Sequence, residues 1–184
     1  MRALSNQSLD WSQAVVTLVH ERWVPDDNAR PNPPLLRANL LQGPAAAARF
    51  LPLHRDTATP EEALDALERD LAALPSPFDA VVLGMGNDGH TASFFPGGDR
   101  LADALDPDST LRVLPMRAPG AGEPRITLTL PTLLAARHLY LHIEGAEKQA
   151  VLAQALGGTD AGAGYPIRAV LRHARSPLAT YWCA

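Results

Sequence analysis

The sequence predicts an α/β fold, a Rossmann-like open, mostly parallel sheet flanked by helices, and three observations carry that prediction. An apolar, β-branched run at 14–19 has the near-continuous hydrophobicity of a strand covered on both faces, and the runs 78–83 and 138–143 read as further strands. Segments with 3.6-residue apolar spacing alternate with them, most clearly Ala63, Leu64, Leu67, Leu71 and Leu74. One of the runs also leads straight into the glycine-rich stretch GMGNDGHTASFFP, which begins at Gly84. In open α/β sheets, ligands dock at the carboxyl ends of strands, and this stretch occupies such an end.

With 184 residues, 46% of them hydrophobic, the chain can bury one substantial core, so one domain spanning 1–184 is expected. A net charge of −4 and a pI near 5.8 argue against nucleic acid or an anionic membrane as partner and leave room for a small basic pocket. Cys183 is the one cysteine and has no internal partner, and there is no 18-residue apolar run or basic leader-like start, which together predict a soluble, cytoplasmic protein. Fifteen of the 16 basic side chains are arginines; the exception, Lys148, is the one compact ammonium.

In chain order, residues 1–13 are polar, and 14–19 reads as a parallel, central strand. The segment HERWVP follows at that strand's end, where Arg22 is either a bidentate phosphate clamp or half of a surface ion pair. Residues 26–34, rich in Pro, Asp and Asn, read as a loop; 35–41 has helical spacing and stops at Gly43 and Pro44; 49–53 is a short edge strand limited by Pro52. Thr59, Pro60 and Glu62 form a capping-box start for a helix whose acidic face, Glu61, Asp65, Glu68 and Asp70, is expected to be solvated.

Beyond the glycine stretch, the pattern predicts a short helix at 101–105, strands at 111–115 and 125–130, a helical stretch at 132–137 and a strand at 138–143. A helix at 146–156, a flexible loop at 157–164, a short helix at 166–172 and a closing strand at 178–182 complete the chain. Arg125 opens its strand, as a ligand residue or a surface cation. Lys148 sits in the first turn of its helix, where the macrodipole disfavours a cation unless an anion is shared with the exposed N–H groups.

Asp88 and His90 lie two residues apart, so a curled loop brings both to one place, where the carboxylate can orient the imidazole as a general base. Gly86 and Gly89 permit the turn. The plainer alternative is a tight strand exit in which Asp88 caps a helix and His90 is solvated. The spacing is read as distinct from the phosphate-cradling glycine patterns.

The segments HERWVP, GMGNDGHTASFFPG, PRITLTLP and EGAEKQAVL, in this order, resemble the 6-phosphogluconolactonase family, which is related to the glucosamine-6-phosphate deaminases. The resemblance implies hydrolysis of 6-phospho-D-glucono-1,5-lactone in the oxidative pentose phosphate pathway, without a metal or organic cofactor, by a monomer or weak homodimer. Carried over by position, it makes His90 the base that activates water and Asp88 its orienting partner. Arg22 and Lys148 become phosphate-side cations with Arg125 lining the same region; Gly86 and Gly89 let the backbone approach the ligand, and Asn32 joins the substrate side.

Three features depart from the family pattern. His20 stands where an aspartate is usual, Pro31 where a serine is usual, and nothing matches the N-terminal strand and Gly-Gly-Ser-Thr-Pro phosphate loop, so the fold is expected to be N-terminally truncated relative to the family. Two further readings therefore stand beside the lactonase: a non-catalytic sugar-phosphate-binding relative, and a deaminase-like isomerase.

Overall fold

The computed structural model describes residues 1–24, 32–157 and 160–184. Pro31, most of the 26–34 loop and part of the 157–164 loop lie outside the described residues. Among the described residues, eight strands form three small sheets. β1 (Val15–Thr17) and β3 (Arg49–Leu51) make a parallel pair. β4 (Ala80–Leu83), β7 (His138–Glu144) and β8 (Leu178–Cys183) make a parallel sheet with β7 in the middle. Between β2 (His20–Arg22) and β5 (Val113–Met116) runs β6 (Arg125–Leu128), antiparallel to both. The α/β class and the parallel pairing of the principal strands are as the sequence predicts.

Two expectations near the N-terminus are corrected. The 14–19 run is not a central strand: β1 pairs only with β3 among the described strands, and its residues are half-buried. HERWVP is not only a loop at a strand end, because His20–Arg22 is itself a strand. Both differences have one cause: Leu18 and Val19 separate the parallel β1 from the antiparallel β2, and the apolar run cannot reveal that the pairing partner changes within it.

The helices follow the apolar spacing with shifted ends. α1 (Arg2–Ser5) lies in the segment read only as polar, and α2 (Asn32–Asn39) begins earlier than its pattern suggested. α3 (Leu64–Ala72) is entered through a 3₁₀ turn at Glu61–Ala63, where Glu62 bonds the Thr59 hydroxyl at 3.2 Å and the Ala58 N–H at 3.3 Å. The acidic face of this helix is not simply solvated. Glu68 Oε1 accepts the N–H groups of Arg112 (2.6 Å) and Val113 (3.0 Å), docking α3 on β5. Glu61 accepts from Arg117 at 3.0 Å, which lowers the Glu61 pKa, and Asp70 accepts from Arg55 at 2.7 Å.

α4 (Leu101–Leu105), α5 (Leu130–Leu134), α6 (Ala146–Gly157), α7 (Asp160–Ala163) and α8 (Ile167–His173) complete the set. α7 lies where a flexible loop was expected. The principal core gathers Leu67 and Leu71 of α3, the inward residues of β4 and β7, all of Val113, Leu114 and Met116, and Phe94 and Phe95 from the glycine stretch. A smaller cluster of Trp11, Leu36, Leu40 and Ala45 lies beside β1, with Leu18 packed against both. The aromatic end of the motif is therefore a core plug, which fixes the loop that precedes it.

Candidate active site

The loop after β4 is tightly bonded to itself. Gly86 N–H donates to His90 O (2.9 Å), Gly89 N–H to Gly86 O (3.0 Å), and the Thr91 hydroxyl to Gly84 O (2.8 Å). Thr91 and Phe94 form a β-bridge, and the buried Phe94 and Phe95 anchor the far side. Within this frame the Asp88 Oδ1 lies 2.6 Å from His90 Nδ1 and also accepts the His90 backbone N–H at 3.1 Å. With Nδ1 held by the carboxylate, Nε2 is left as the basic nitrogen. The ring stacks on Phe95 with centroids 4.4 Å apart. Asp88 does not act as a helix cap, as the plainer alternative held, since the next described helix after it begins only at Leu101.

Two glycines are required by this geometry. A Cβ on Gly86 would overlap the His90 ring and lie 2.7 Å from the Asp88 carboxylate. Gly89 has φ +74°, and a Cβ there would meet Tyr165 at 2.5 Å; its carbonyl accepts the Ile167 N–H at 3.0 Å. The loop spells G-x-G-x-x-G from Gly84 to Gly89, so the sequence reading of its spacing needs correction. Context, not spelling, separates it from a dinucleotide fingerprint: a helix should open directly from that motif, and here turns run to Gly98.

Opposite charges are arranged on β2 and β6. In an antiparallel pair, registered residues share a face, so the pairs Arg22↔Arg125 and His20↔Thr127 place His20, Arg22, Arg125 and Thr127 on one side of the sheet. Glu21 points to the other side and is fully buried. Its carboxylate accepts the N–H groups of Arg22 (2.7 Å) and Asn32 (3.1 Å to each oxygen). Burial raises its pKa, opposed by those two donors. Arg22 donates to Asn32 Oδ1 at 3.0 Å and pairs with Glu123 at 3.4 Å, not with a sequence neighbour.

Arg125 is buried, donates to Ala121 O at 2.7 Å, and lies 5.5 Å above the ring of Phe95, the ring His90 also stacks on. The cationic face and the His90 loop thus meet at Phe95. The charge on His20 reports the same proximity: burial, then Arg125, His90 and Arg22, push its pKa down to about 3. It is a neutral imidazole at pH 7.

Of the residues singled out in the sequence, the structure groups Asp88, His90, Gly86 and Gly89 in one loop and Arg22 and Arg125 on the paired strands β2 and β6, with Asn32 at the start of α2 bonded to Arg22. Lys148 is linked less directly. It is half-buried in the first turn of α6, whose preceding residue, Glu147, accepts from Asn87 of the motif at 2.7 Å. No hydrogen bond links Lys148 to Arg22 or His90 among the described residues. Sequence reasoning gave Glu21 no specific role and did not point to Phe95 or Tyr165. The alternation of Glu21 between His20 and Arg22 was the available signal for an inward carboxylate; nothing local pointed to Tyr165, 76 positions after Gly89.

Among the described residues, one group of metal-type donors lies close together: His142, Glu144 and Cys183, all exposed on β7 and β8, within 4.8 Å of one another. None of them belongs to the His90 loop. No helix among the described residues is long and apolar enough to cross a membrane.

Comparison with known proteins places this geometry. The sequence model of the glucosamine-6-phosphate isomerases/6-phosphogluconolactonase family matches residues 1–182. A 6-phosphogluconolactonase of Rhizobium meliloti is 54% identical over 181 residues, covering 98% of this chain and 78% of that protein. One from Pseudomonas aeruginosa is 46% identical, covering 99% and 75%. The crystal structure of a 6-phosphogluconolactonase from Shewanella baltica superimposes with a TM-score of 0.93 at 40% identity, over all of this chain and 77% of the other. The chain therefore belongs to the glucosamine-6-phosphate isomerase/6-phosphogluconolactonase family, in its 6-phosphogluconolactonase branch.

Proposed function

We propose that this chain, acting as one domain over 1–184, hydrolyses 6-phospho-D-glucono-1,5-lactone to 6-phospho-D-gluconate, as the names of its relatives suggest. The observation that carries the reading is the Asp88–His90 pair held at 2.6 Å beside a face bearing Arg22 and Arg125. A phosphorylated lactone has two ends with different needs, and the site offers a group for each. Charge-assisted contacts from Arg22, Arg125 and Lys148 anchor the phosphate, with Asn32 bracing Arg22. The ester carbonyl then lies toward His90.

His90 Nε2 takes a proton from water as its oxygen attacks the lactone carbonyl. Collapse of the tetrahedral adduct breaks the bond between the carbonyl carbon and the ring oxygen. His90 returns its proton to that oxygen, leaving a carboxylic acid that ionises and a free hydroxyl. Asp88 holds the ring in the tautomer and orientation this requires and favours the transient imidazolium. Gly86 and Gly89 shape the loop around the pair. A lactone is already reactive, so base catalysis of about 10²–10⁴-fold is a sufficient contribution from His90.

The deaminase-like reading is not favoured: a glucosamine-6-phosphate deaminase structure is 16% identical with a TM-score of 0.61, against 0.93 for the Shewanella lactonase. We further place the chain in the cytoplasm, as a monomer or weak homodimer with a small phosphorylated sugar as its partner. The test is an assay of freshly prepared lactone against its spontaneous hydrolysis, with wild-type chain and His90→Ala in parallel. A wild-type rate well above background that falls to near background in the variant supports the reading. Equal rates would leave the non-catalytic, sugar-phosphate-binding relative as the better description.

A further inference from the structure

We propose that His20 is a phosphate-binding residue of this site, donating its Nδ1–H to an oxygen of the anion held between Arg22 and Arg125. The inference rests on the functional reading above for the identity of the anion, but its structural basis is separate. His20 Nδ1 is buried and has no hydrogen-bond partner among the described residues. A buried polar atom left without a partner is costly, so its persistence in a packed face calls for a use.

Its surroundings specify what kind of ligand would satisfy it. His20 and Arg22 are two apart on β2 and share a face; Arg125 stands in register with Arg22, and Thr127 with His20. Two guanidinium groups in register repel one another, and an anion between them relieves the repulsion. Thr127 is also where the His90 loop touches this face, because its hydroxyl accepts the Ser93 N–H at 3.3 Å. The Ser93 hydroxyl is a second buried atom without a hydrogen-bond partner among the described residues. Unsatisfied polar atoms thus occur on both sides of Thr127, next to a pair of arginines.

The chemistry of the imidazole fits a donor and not a third cation. Surrounded by Arg125, His90 and Arg22, His20 stays neutral, and a neutral ring carries one N–H that can be placed on Nδ1. It adds directionality to the anion site without adding charge that would destabilise the empty face. An aspartate at this position would present only acceptors and would repel a phosphate, so His20 alters how this chain holds its anion.

Titration calorimetry with inorganic phosphate and with 6-phosphogluconate, together with NMR of the imidazole N–H signals, tests the assignment on the intact chain. Both anions should shift the His20 ring signals. His20→Ala should weaken both anions about tenfold, the value of one hydrogen bond to a charged group, and raise KM for the phosphorylated lactone with kcat little changed. His20→Asn, whose carboxamide N–H₂ reaches nearly the same point as Nδ1, should restore most of the affinity. Hydrolysis of unphosphorylated gluconolactone should not distinguish the variants.

Phosphate binding by His20→Ala at wild-type affinity, equal losses on phosphorylated and unphosphorylated lactone, or absence of phosphate binding by the wild type would each overturn the assignment. The binding arm does not require turnover. A chain that binds phosphate through His20 yet does not hydrolyse lactone sinks the lactonase reading alone, whereas lactone hydrolysis unaffected by His20→Ala sinks this one alone.

Discussion

Asp88 Oδ1 contacts His90 twice, at the ring nitrogen (2.6 Å) and at the backbone N–H (3.1 Å), so one carboxylate sets both the loop's curl and the imidazole's orientation. Removing the charge while keeping the shape separates those roles. Asp88→Asn should preserve the fold and lower kcat about 10–100-fold with KM little changed, because the ring then lacks a partner that stabilises its protonated form. Steady-state kinetics and a melting curve on the same sample check this; an unchanged kcat would make Asp88 a purely structural residue.

Gly86 and Gly89 should fail differently when replaced by alanine. The Cβ at Gly86 collides with the His90 ring and the Asp88 carboxylate, both of which can move aside, so Gly86→Ala should keep a near-normal Tm and lose about 10²-fold in kcat/KM. At Gly89 the left-handed backbone and the Tyr165 overlap together cost about 2–4 kcal/mol, which denaturant unfolding would register as a loss of stability.

Arg22 is predicted to be irreplaceable by lysine. Its guanidinium reaches Asn32 and Glu123 at once, which an ammonium cannot reproduce, so Arg22→Lys should raise KM for the lactone about tenfold, close to the effect of Arg22→Ala. Lys148→Ala should raise KM comparably if the ammonium engages the phosphate. An unchanged KM would remove Lys148 from the site while leaving the arginines in place.

Glu21 has a positioning role in this scheme, since its carboxylate holds the backbone N–H groups of Arg22 and Asn32. Glu21→Gln keeps the volume but turns an N–H₂ toward those donors, and should destabilise the chain by about 1–3 kcal/mol. It should also raise KM more than it lowers kcat, a split that general loss of folded protein would not produce.

The pH dependence of stability should carry a mark of His20. Its folded pKa, about 3, lies below the ordinary value of 6.5, so below pH 6.5 the unfolded chain takes up a proton that the folded chain refuses. The favourable contribution is complete above pH 6.5 and is lost progressively as pH falls toward 3, at about 1.4 kcal/mol per pH unit at most. Glu21, whose folded pKa is raised, works in the opposite sense, relieving strain as pH falls. The difference between wild type and His20→Asn in denaturant unfolding at pH 7 and pH 5 isolates the His20 part; parallel losses in both would show that His20 is not held neutral.

The α/β class, the order of most elements and the glycine loop with Asp88 and His90 are legible in the chain alone, because these follow from local periodicity and from residues close enough in the chain to meet through one turn. The sequence also marked Arg22, Arg125 and Asn32 as candidates, and only the family resemblance placed them in one region. Tertiary structure alone decided that the 14–22 segment divides into a parallel and an antiparallel strand, and that Arg22 faces Arg125 in register. It decided as well that Phe95 joins His90 to Arg125, and that Glu21 is the buried clasp of the cationic strand. Arg22 and Arg125 are 103 positions apart, Val15 and Arg49 34, and Phe95 and Arg125 30; pairing energy resides in the partner as much as in the strand, so no local pattern encodes it.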